Sequence, residues 1–286
     1  VSILSTEKSN GVRFYEHLPS TKDDRTFVLV HGLGSSLDFW NAVAPGLAQH
    51  RTIAFDVPGF GESDSPVGAY TLEAVTSLAE SFLDRLSVSN AVLVGHSLGG
   101  IVALRIAAQR PDMIRRLVLI DSTLLAVERL LTRPATMLRN PKLALAVAIQ
   151  FIGGLIPMNP ARARRLAYNR ILRHLAFWSY IHAPAALDPA SLADAISSVG
   201  GKHAKNVLRV IPAARYVNIE KLMARLTQPV SLIWGQGDPL ITQPDITRSR
   251  DLMPVDDVLA IPQCGHWPII EKPQVVIDFL TRYGDR

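Results

Sequence analysis

The pentapeptide Gly95-His96-Ser97-Leu98-Gly99 sets a serine between two glycines, each two residues away. A serine on a sharp strand-to-helix turn needs small residues at those positions, because a Cβ there collides with neighbouring backbone. Such a turn lifts the hydroxyl clear of the sheet, and the following helix aims unpaired N–H groups at the same point. The N–H of Leu98 is then a natural donor to a developing oxyanion. A glycine-flanked turn with an ordinary N-cap serine is the plainer reading. The apolar run before the pentapeptide and the helical pattern after it favour the nucleophile.

A hydroxyl is a poor nucleophile near pH 7 until a base takes its proton, and that base needs an acid to orient it. Of the eight histidines, His266 in Gln263-Cys264-Gly265-His266-Trp267-Pro268 directly follows the last predicted strand. Asp238, in Trp234-Gly235-Gln236-Gly237-Asp238-Pro239, directly follows the strand before it. The chain order Ser97, Asp238, His266 would bring all three to the carboxyl ends of neighbouring strands. Asp121, at the end of its own strand, is the second candidate acid. His96 adjoins the serine, but consecutive residues on a tight turn project in different directions, so it is expected to pack. His174, His182 and His203 read as surface or lining residues, and Cys264 as a small packed side chain. A second oxyanion donor is offered by His31-Gly32-Leu33-Gly34, through the N–H of Leu33 or else Gly34, with His31 holding the loop. A donor of this kind is worth about 3 kcal/mol of transition-state stabilisation.

The elements that must position these groups are legible as alternating patterns. Val12–His17, after an Asn10-Gly11 turn signal, reads as an opening strand. Short Val/Ile/Leu-rich runs follow at Thr26–His31, Thr52–Asp56, Ala91–Gly95 and Leu117–Asp121, then at Val230–Gly235 and Val258–Pro262. Continuous apolar runs of this length fit strands buried on both faces of a parallel sheet. Between them Leu72, Val75, Leu78, Ala79, Phe82, Leu83 and Leu86 recur at helical steps, as does the stretch from Leu98 to Gln109. Val275, Val276, Phe279 and Leu280 set one face of a closing helix. Strand alternating with helix predicts a doubly wound α/β sheet. From residue 122 to 225 the alternation stops in favour of Ala, Leu and Arg, so residues 1–121 and 226–286 are expected to form the core and 122–225 a helical insertion.

With 286 residues, 48% hydrophobic and 19% charged, the chain can bury a sizeable core, and collagen-like and disordered classes are excluded. The net charge of +5 is unevenly spread: residues 122–225 hold 15 basic and 4 acidic side chains, the remainder 15 and 21. In the basic part, Ala163, Leu166, Ala167, Ile171, Leu175 and Trp178 recur at helical steps with Arg162, Arg165 and Arg173 on an adjacent face. The expectation is a solvated helix whose apolar side covers the site. Peripheral contact with an anionic membrane is the alternative. No base-stacking motif, zinc spacing or helix-turn-helix accompanies the charge, so no nucleic-acid partner is expected. No P-loop, dinucleotide fingerprint or H-E-x-x-H site is present, so no cofactor or metal is implied.

The single cysteine closes no intrachain disulfide, and no signal peptide is read in the first residues, which fits a cytoplasmic protein. The longest apolar run, Leu143 to Met158, is broken by Gln150 and Gly153-Gly154 and is too short to span a bilayer.

The sequence resembles the α/β-hydrolase superfamily from about Phe27 to Asp121 and from Val230 to Phe279. The resemblance rests on Ser97, Asp238 and His266, on His31-Gly32, on Asp56-Val57-Pro58-Gly59-Phe60-Gly61-Glu62-Ser63 and on Glu271-Lys272-Pro273. It implies that residues 122–225, inserted after the sixth strand, are a cap domain and that Asp56–Ser63 is a structural turn. Ser97 stands where haloalkane dehalogenases and epoxide hydrolases carry aspartate, and His96 before it is similar to many esterases and lipases. The expected activity is cleavage of a carboxylic ester of a small lipophilic substrate through an acyl-enzyme. Two alternatives stand beside it: a carbon–carbon bond hydrolase on the same residues, and a ligand receptor that turns over slowly.

Overall fold

The structure is a computed structural model that describes residues 5–20, 25–126, 129, 135–156, 158–197, 199, 205–215 and 217–283, with the backbone alone at 136 and 211–215. Eight strands form one sheet: β1 (Glu7–Ser9), β2 (Val12–His17), β3 (Thr26–Val30), β4 (Arg51–Phe55), β5 (Ala91–His96), β6 (Ile114–Ile120), β7 (Val230–Gly235) and β8 (Val255–Ile261). Their order is β1-β2-β4-β3-β5-β6-β7-β8. β2 runs antiparallel to both its neighbours, and every other adjacent pair is parallel. The chain is thus α/β with a mostly parallel sheet, as its alternating pattern predicts.

The apolar runs are continuous because each strand serves two cores. Val28 and Val30 of β3 pack with Ile53, Phe55, Phe82 and Leu93 on one face. Phe27 and Leu29 point the other way, to Trp40, Val92, Val94 and Phe279. The first face is covered by α1 (Leu72–Arg85) and α2 (Gly99–Gln109). The second is covered by the turn around Trp40 and, at the far end of the chain, by the helix Pro273–Thr281.

Three strands differ from the sequence pattern. β1 precedes the expected opening strand and pairs with it across Asn10 and Gly11, both at positive φ. β1 escapes a pattern search because its residues are polar and exposed. β6 and β8 begin about three residues early, since their first residues include Arg115, Arg116, Asp256 and Asp257, which ladder pairing tolerates at a sheet edge or end.

Between β6 and β7 the described residues form seven helices: α3 (Ala135–Arg139), α4 (Pro141–Leu155), α5 (Pro160–Tyr168), α6 (Arg170–Phe177), α7 (Pro189–Ile196), α8 (Lys205–Arg215) and α9 (Ile219–Met223). After β7 come α10 (Gln243–Leu252), α11 (Pro268–Glu271) and α12 (Pro273–Thr281). Ala146, Ala163, Ala167, Phe177, Tyr180, Leu192 and Ile196 make a third, smaller core among the intervening helices. The amphipathic helix expected across Arg162–Trp178 is two helices, because the Asn169 carboxamide accepts from the N–H groups of Ile171 and Leu172 at 3.1 and 3.0 Å and so starts a new one. That break turns the apolar stripe: Ala163 and Ala167 are buried, whereas Ile171, Leu175 and Trp178 face solvent. Arg173 is not on a solvated face as expected. It is buried, and its guanidinium donates to the carbonyls of Ala167, Ala185 and Leu187. Among the described residues no helix is long and apolar enough to cross a membrane.

Candidate active site

Ser97 follows β5 directly and has φ of +52°, the left-handed conformation that a serine adopts at a cost. The glycines around it show what holds the turn. A Cβ on Gly95 would meet the Gly100 Cα at 2.7 Å and the Ala103 Cβ at 2.8 Å, and one on Gly99 would run into the carbonyls of Val30 and His31. The end of β3 therefore lies directly against the start of α2. The backbone of Ser97 is tied in turn to β6, its N–H donating to the Ile120 carbonyl at 3.0 Å.

His266 and Asp238 reach the serine from the loops after β8 and β7. The Nδ1–H of His266 donates to Asp238 Oδ2 at 2.7 Å, which fixes the tautomer and leaves Nε2 to accept from the Ser97 hydroxyl at 2.9 Å. All three side chains are buried. The other Asp238 oxygen accepts from the Leu240 N–H at 2.7 Å. Asp121 comes to the same cluster but does not bond the imidazole: its two oxygens accept from the Gly235 N–H at 3.1 and 3.2 Å. Burial, with the Asp238 carboxylate beside it adding to the effect, holds Asp121 well above the ordinary carboxylate range. Asp238 is thus the acid on the histidine, and Asp121 a buried neighbour that bonds the Gly235 backbone.

Asp121, Asp238 and His266 also form a cluster whose ligating atoms lie within 4.8 Å of one another among the described residues. The Asp238 oxygen and the His266 nitrogen nearest each other are already joined by a hydrogen bond, so a metal would have to break that bond to bind.

The two expected oxyanion donors sit beside the serine. An ideal Cβ on Gly32 would lie 3.1 Å from the Ser97 Cβ, so the Gly32-Leu33 backbone passes close by. Leu33 lines the cavity that holds Ser97 and His266, and with Leu98 also lines a smaller apolar cavity bounded by Phe60, Tyr70 and Val102. His31 holds this loop as expected: its Nδ1–H donates to the Gly32 carbonyl at 2.8 Å while Nε2 accepts from the Val57 N–H at 2.9 Å. That pattern requires a neutral ring, and burial lowers its pKa to about 4.

His96 does not touch the serine hydroxyl. Its ring stacks on Phe39 at 4.9 Å and its Nε2–H donates to the His266 carbonyl at 2.8 Å, holding the histidine loop from below. Burial lowers its pKa to about 3. Cys264 is fully buried and burial pushes its thiol far above the reactive range, which fits the packed role expected of it. His174 and His182 are exposed, and His203 lies outside the described residues.

Two supports of His266 have no simple sequence signal. The Glu271 carboxylate accepts from the N–H groups of Gly265, Trp267 and His182, at 3.0, 3.2 and 2.9 Å, tying the histidine loop to the intervening segment. The His266 N–H donates to the Tyr180 carbonyl at 2.7 Å, and Trp267 packs its ring against Phe39, Phe177 and Tyr180. Only the Glu271-Lys272-Pro273 match points at the first.

The Asp56–Ser63 segment is the structural turn that the resemblance implies. Asp56 Oδ1 accepts from the Leu37 N–H at 2.7 Å and Oδ2 from the Glu62 N–H at 2.8 Å, with Arg13 3.4 Å away. Ser63 donates to the Asp56 carbonyl and accepts from the Arg13 N–H. Gly61, at φ +54°, has the Asp56 carboxylate where a Cβ would stand.

The cavity over Ser97 and His266 has a volume of about 350 Å³. Its walls are Phe39 and Trp267 from the core and Ile149, Ile152, Met158, Leu166 and Leu175 from the intervening helices. No Asp, Glu, Lys or Arg lines it among the described residues.

Residues 25–273 match the family model of the alpha/beta hydrolase fold. Among curated proteins the chain is similar to the pimeloyl-[acyl-carrier protein] methyl ester esterase of Klebsiella pneumoniae, 26% identical over 91% of this chain and 95% of that protein. It is likewise similar to the sn-1-specific diacylglycerol lipase of Mus musculus, 26% identical over 90% of this chain and 80% of that one. Among solved structures, E-2-(acetamidomethylene)succinate hydrolase superposes with a TM-score of 0.73 at 18% identity, covering 99% of this chain and all of that one.

Proposed function

From the premise that this chain belongs to the alpha/beta hydrolase family, we propose that it is a serine hydrolase that cleaves a carboxylic ester of an apolar substrate. The observation that carries this reading is the hydrogen-bonded relay from the Ser97 hydroxyl through His266 to Asp238, at 2.9 and 2.7 Å, opening into an uncharged cavity. In it Ser97 Oγ attacks the ester carbonyl as His266 Nε2 takes its proton, and Asp238 stabilises the imidazolium that forms. The N–H groups of Leu33 and Leu98 hold the oxyanion. Collapse of the tetrahedral intermediate expels the alcohol, which receives the proton from His266. Water, deprotonated by the same histidine, then attacks the acyl-enzyme and releases the acid.

The helices between β6 and β7 act as a cap that supplies most of the apolar wall and keeps bulk water from the acyl-enzyme. With no charged side chain on that wall, the acyl group it favours is an uncharged chain. The esterase and lipase among the relatives support ester cleavage, and nothing in the cavity favours the carbon–carbon hydrolase alternative. The test is a chain-length series of p-nitrophenyl esters with wild type and Ser97→Ala, together with fluorophosphonate labelling. Turnover that rises from acetyl to medium-chain esters, stoichiometric labelling, and loss of both in Ser97→Ala are expected. Full turnover in Ser97→Ala overturns the assignment, and a wild type that is neither labelled nor active leaves the receptor reading in its place.

A further inference from the structure

We propose that the outer face of α4, α5 and α6 docks on an anionic bilayer, with the mouth of the Ser97 cavity set against the lipid. The delivery of substrate through that mouth rests on the ester-hydrolase reading above; the docking itself does not.

Three independent observations meet on this face. The first is exposure. Of thirteen large apolar side chains that stand exposed among the described residues, ten lie between β6 and β7. On α6 and its C-cap, Ile171 is 72% exposed, Leu175 60% and Trp178 41%, with Leu172 beside them. Their spacing of one, four and seven puts them on one helix face, so the exposure is a stripe and not scattered single residues.

The second is position. Leu175 and, from α4, Ile152 and Ile156 are exposed on the outside and at the same time line the cavity that contains Ser97 and His266. Leu175 therefore joins the apolar stripe to the active-site cavity, and Ile152 and Ile156 continue it along the same edge. An acyl chain leaving a bilayer pressed against this edge reaches the serine without crossing water.

The third is charge. From Arg129 to Leu187 the sequence has nine Lys and Arg residues and no Asp or Glu. Arg164, Arg165 and Arg170, on the two helices at that edge, are exposed, and no carboxylate pairs with them among the described residues. The Arg164 guanidinium lies over the Tyr168 ring, 5.6 Å from its centre, so an aromatic and a cation stand together at this edge. Apolar side chains with Trp on one face and arginines on its flank form the pattern of a helix lying in a membrane interface. A polyanion without an apolar phase, such as a nucleic acid, leaves Ile171, Leu172 and Trp178 unused. An acidic protein carrying an acyl chain would use the arginines and the cavity mouth; the exposed apolar stripe of Ile171, Leu172 and Trp178 is what favours a bilayer over it.

Sedimentation with vesicles of phosphatidylcholine plus phosphatidylglycerol, against phosphatidylcholine alone, at about 50 mM salt tests the proposal. Wild type is expected to bind the anionic vesicles, to be released as salt rises, and to show a blue shift of Trp178 emission on binding. Two variants, Arg164→Glu/Arg165→Glu/Arg170→Glu and Ile171→Ser/Trp178→Ser, are each expected to weaken binding more than tenfold while hydrolysing soluble p-nitrophenyl butyrate within about twofold of wild type. Failure of wild type to sediment with anionic vesicles overturns the docking. Loss of binding in the arginine variant but not in the apolar one reduces the face to a polyanion patch and also overturns it. A wild type that sediments yet hydrolyses no soluble ester refutes the hydrolase reading and leaves the docking standing.

Discussion

At the carboxyl ends of β5, β7 and β8, each side chain of the relay is buried and held by backbone: Ser97 through Ile120, Asp238 through Leu240, His266 through Tyr180 and the Glu271 carboxylate. Between β6 and β7, in α4 to α6, large aliphatic side chains stand in solvent and the helices meet over small alanines. The strand ends are held closely on all sides, and the intervening helices form a more loosely filled wall over them. Chemistry needs positions fixed to within a fraction of an ångström, which a sheet buried on both faces supplies. Selection of substrate needs a surface that can differ without disturbing that precision. The contrast predicts that substitutions at the strand ends act on turnover or on the whole fold, whereas those in the wall act locally.

The largest expected effect separates the two buried aspartates. Asp238→Asn forces the imidazole into the wrong tautomer and should lower kcat by about 10⁴-fold with little change in thermal stability. Asp121→Asn replaces a carboxyl that accepts from the Gly235 N–H and does not bond the imidazole by an amide that can accept in the same way, so kcat should stay within about tenfold. Steady-state kinetics on p-nitrophenyl butyrate decides the matter, and equal losses in both variants would mean that the two carboxyls act as one unit.

A pair of glycines sharpens the comparison next. Gly99→Ala drives a methyl into the carbonyls of Val30 and His31, which cannot retreat without breaking the end of β3. The expected cost is about 3 kcal/mol in urea unfolding, with activity lost alongside. Gly153→Ala, in α4, meets nothing within 4 Å and should gain about 0.5 kcal/mol through lower entropy of the unfolded chain. A loss at Gly153 as large as that at Gly99 would erase the distinction between fixed turn and tolerant wall.

The same division governs what can be read from the residues alone. The strands, the serine turn, and the Asp238 and His266 loops are legible because burial on both faces enforces apolar runs and because tight turns admit few residue types. β1 is not, since a polar edge strand three residues long leaves no pattern. The course of Arg162–Trp178 is misread because periodicity runs straight through Asn169, whose capping bonds divide the helix and rotate its second half outward. Arg173 carries the same lesson: a charge on an amphipathic pattern reads as solvated, yet three carbonyls at helix ends and turns draw it inside. Glu271 acts through backbone N–H groups that only the folded loop brings together.

A further effect concerns acid, and it too belongs to the strand ends. His31 and His96 are buried and neutral, with pKa values lowered to about 4 and about 3, whereas His174 on α6 is exposed. An unfolded histidine titrates near 6.5, so below that pH the unfolded chain binds protons that the folded chain refuses. Stability contributed by each neutral ring is therefore complete above about pH 6.5 and falls as the pH drops, until each folded pKa is passed. Between pH 6.5 and 5.0 each ring accounts for about 2 kcal/mol of that loss. Urea unfolding of wild type and His96→Asn at pH 7.5 and 5.0 measures it: the variant starts less stable, for want of the ring's packing on Phe39, but should lose about 2 kcal/mol less on acidification. A His96→Asn variant that loses as much stability as wild type on acidification would mean that the buried His96 takes up its proton without unfolding, and that the strand ends are less closed to water than their hydrogen bonds imply.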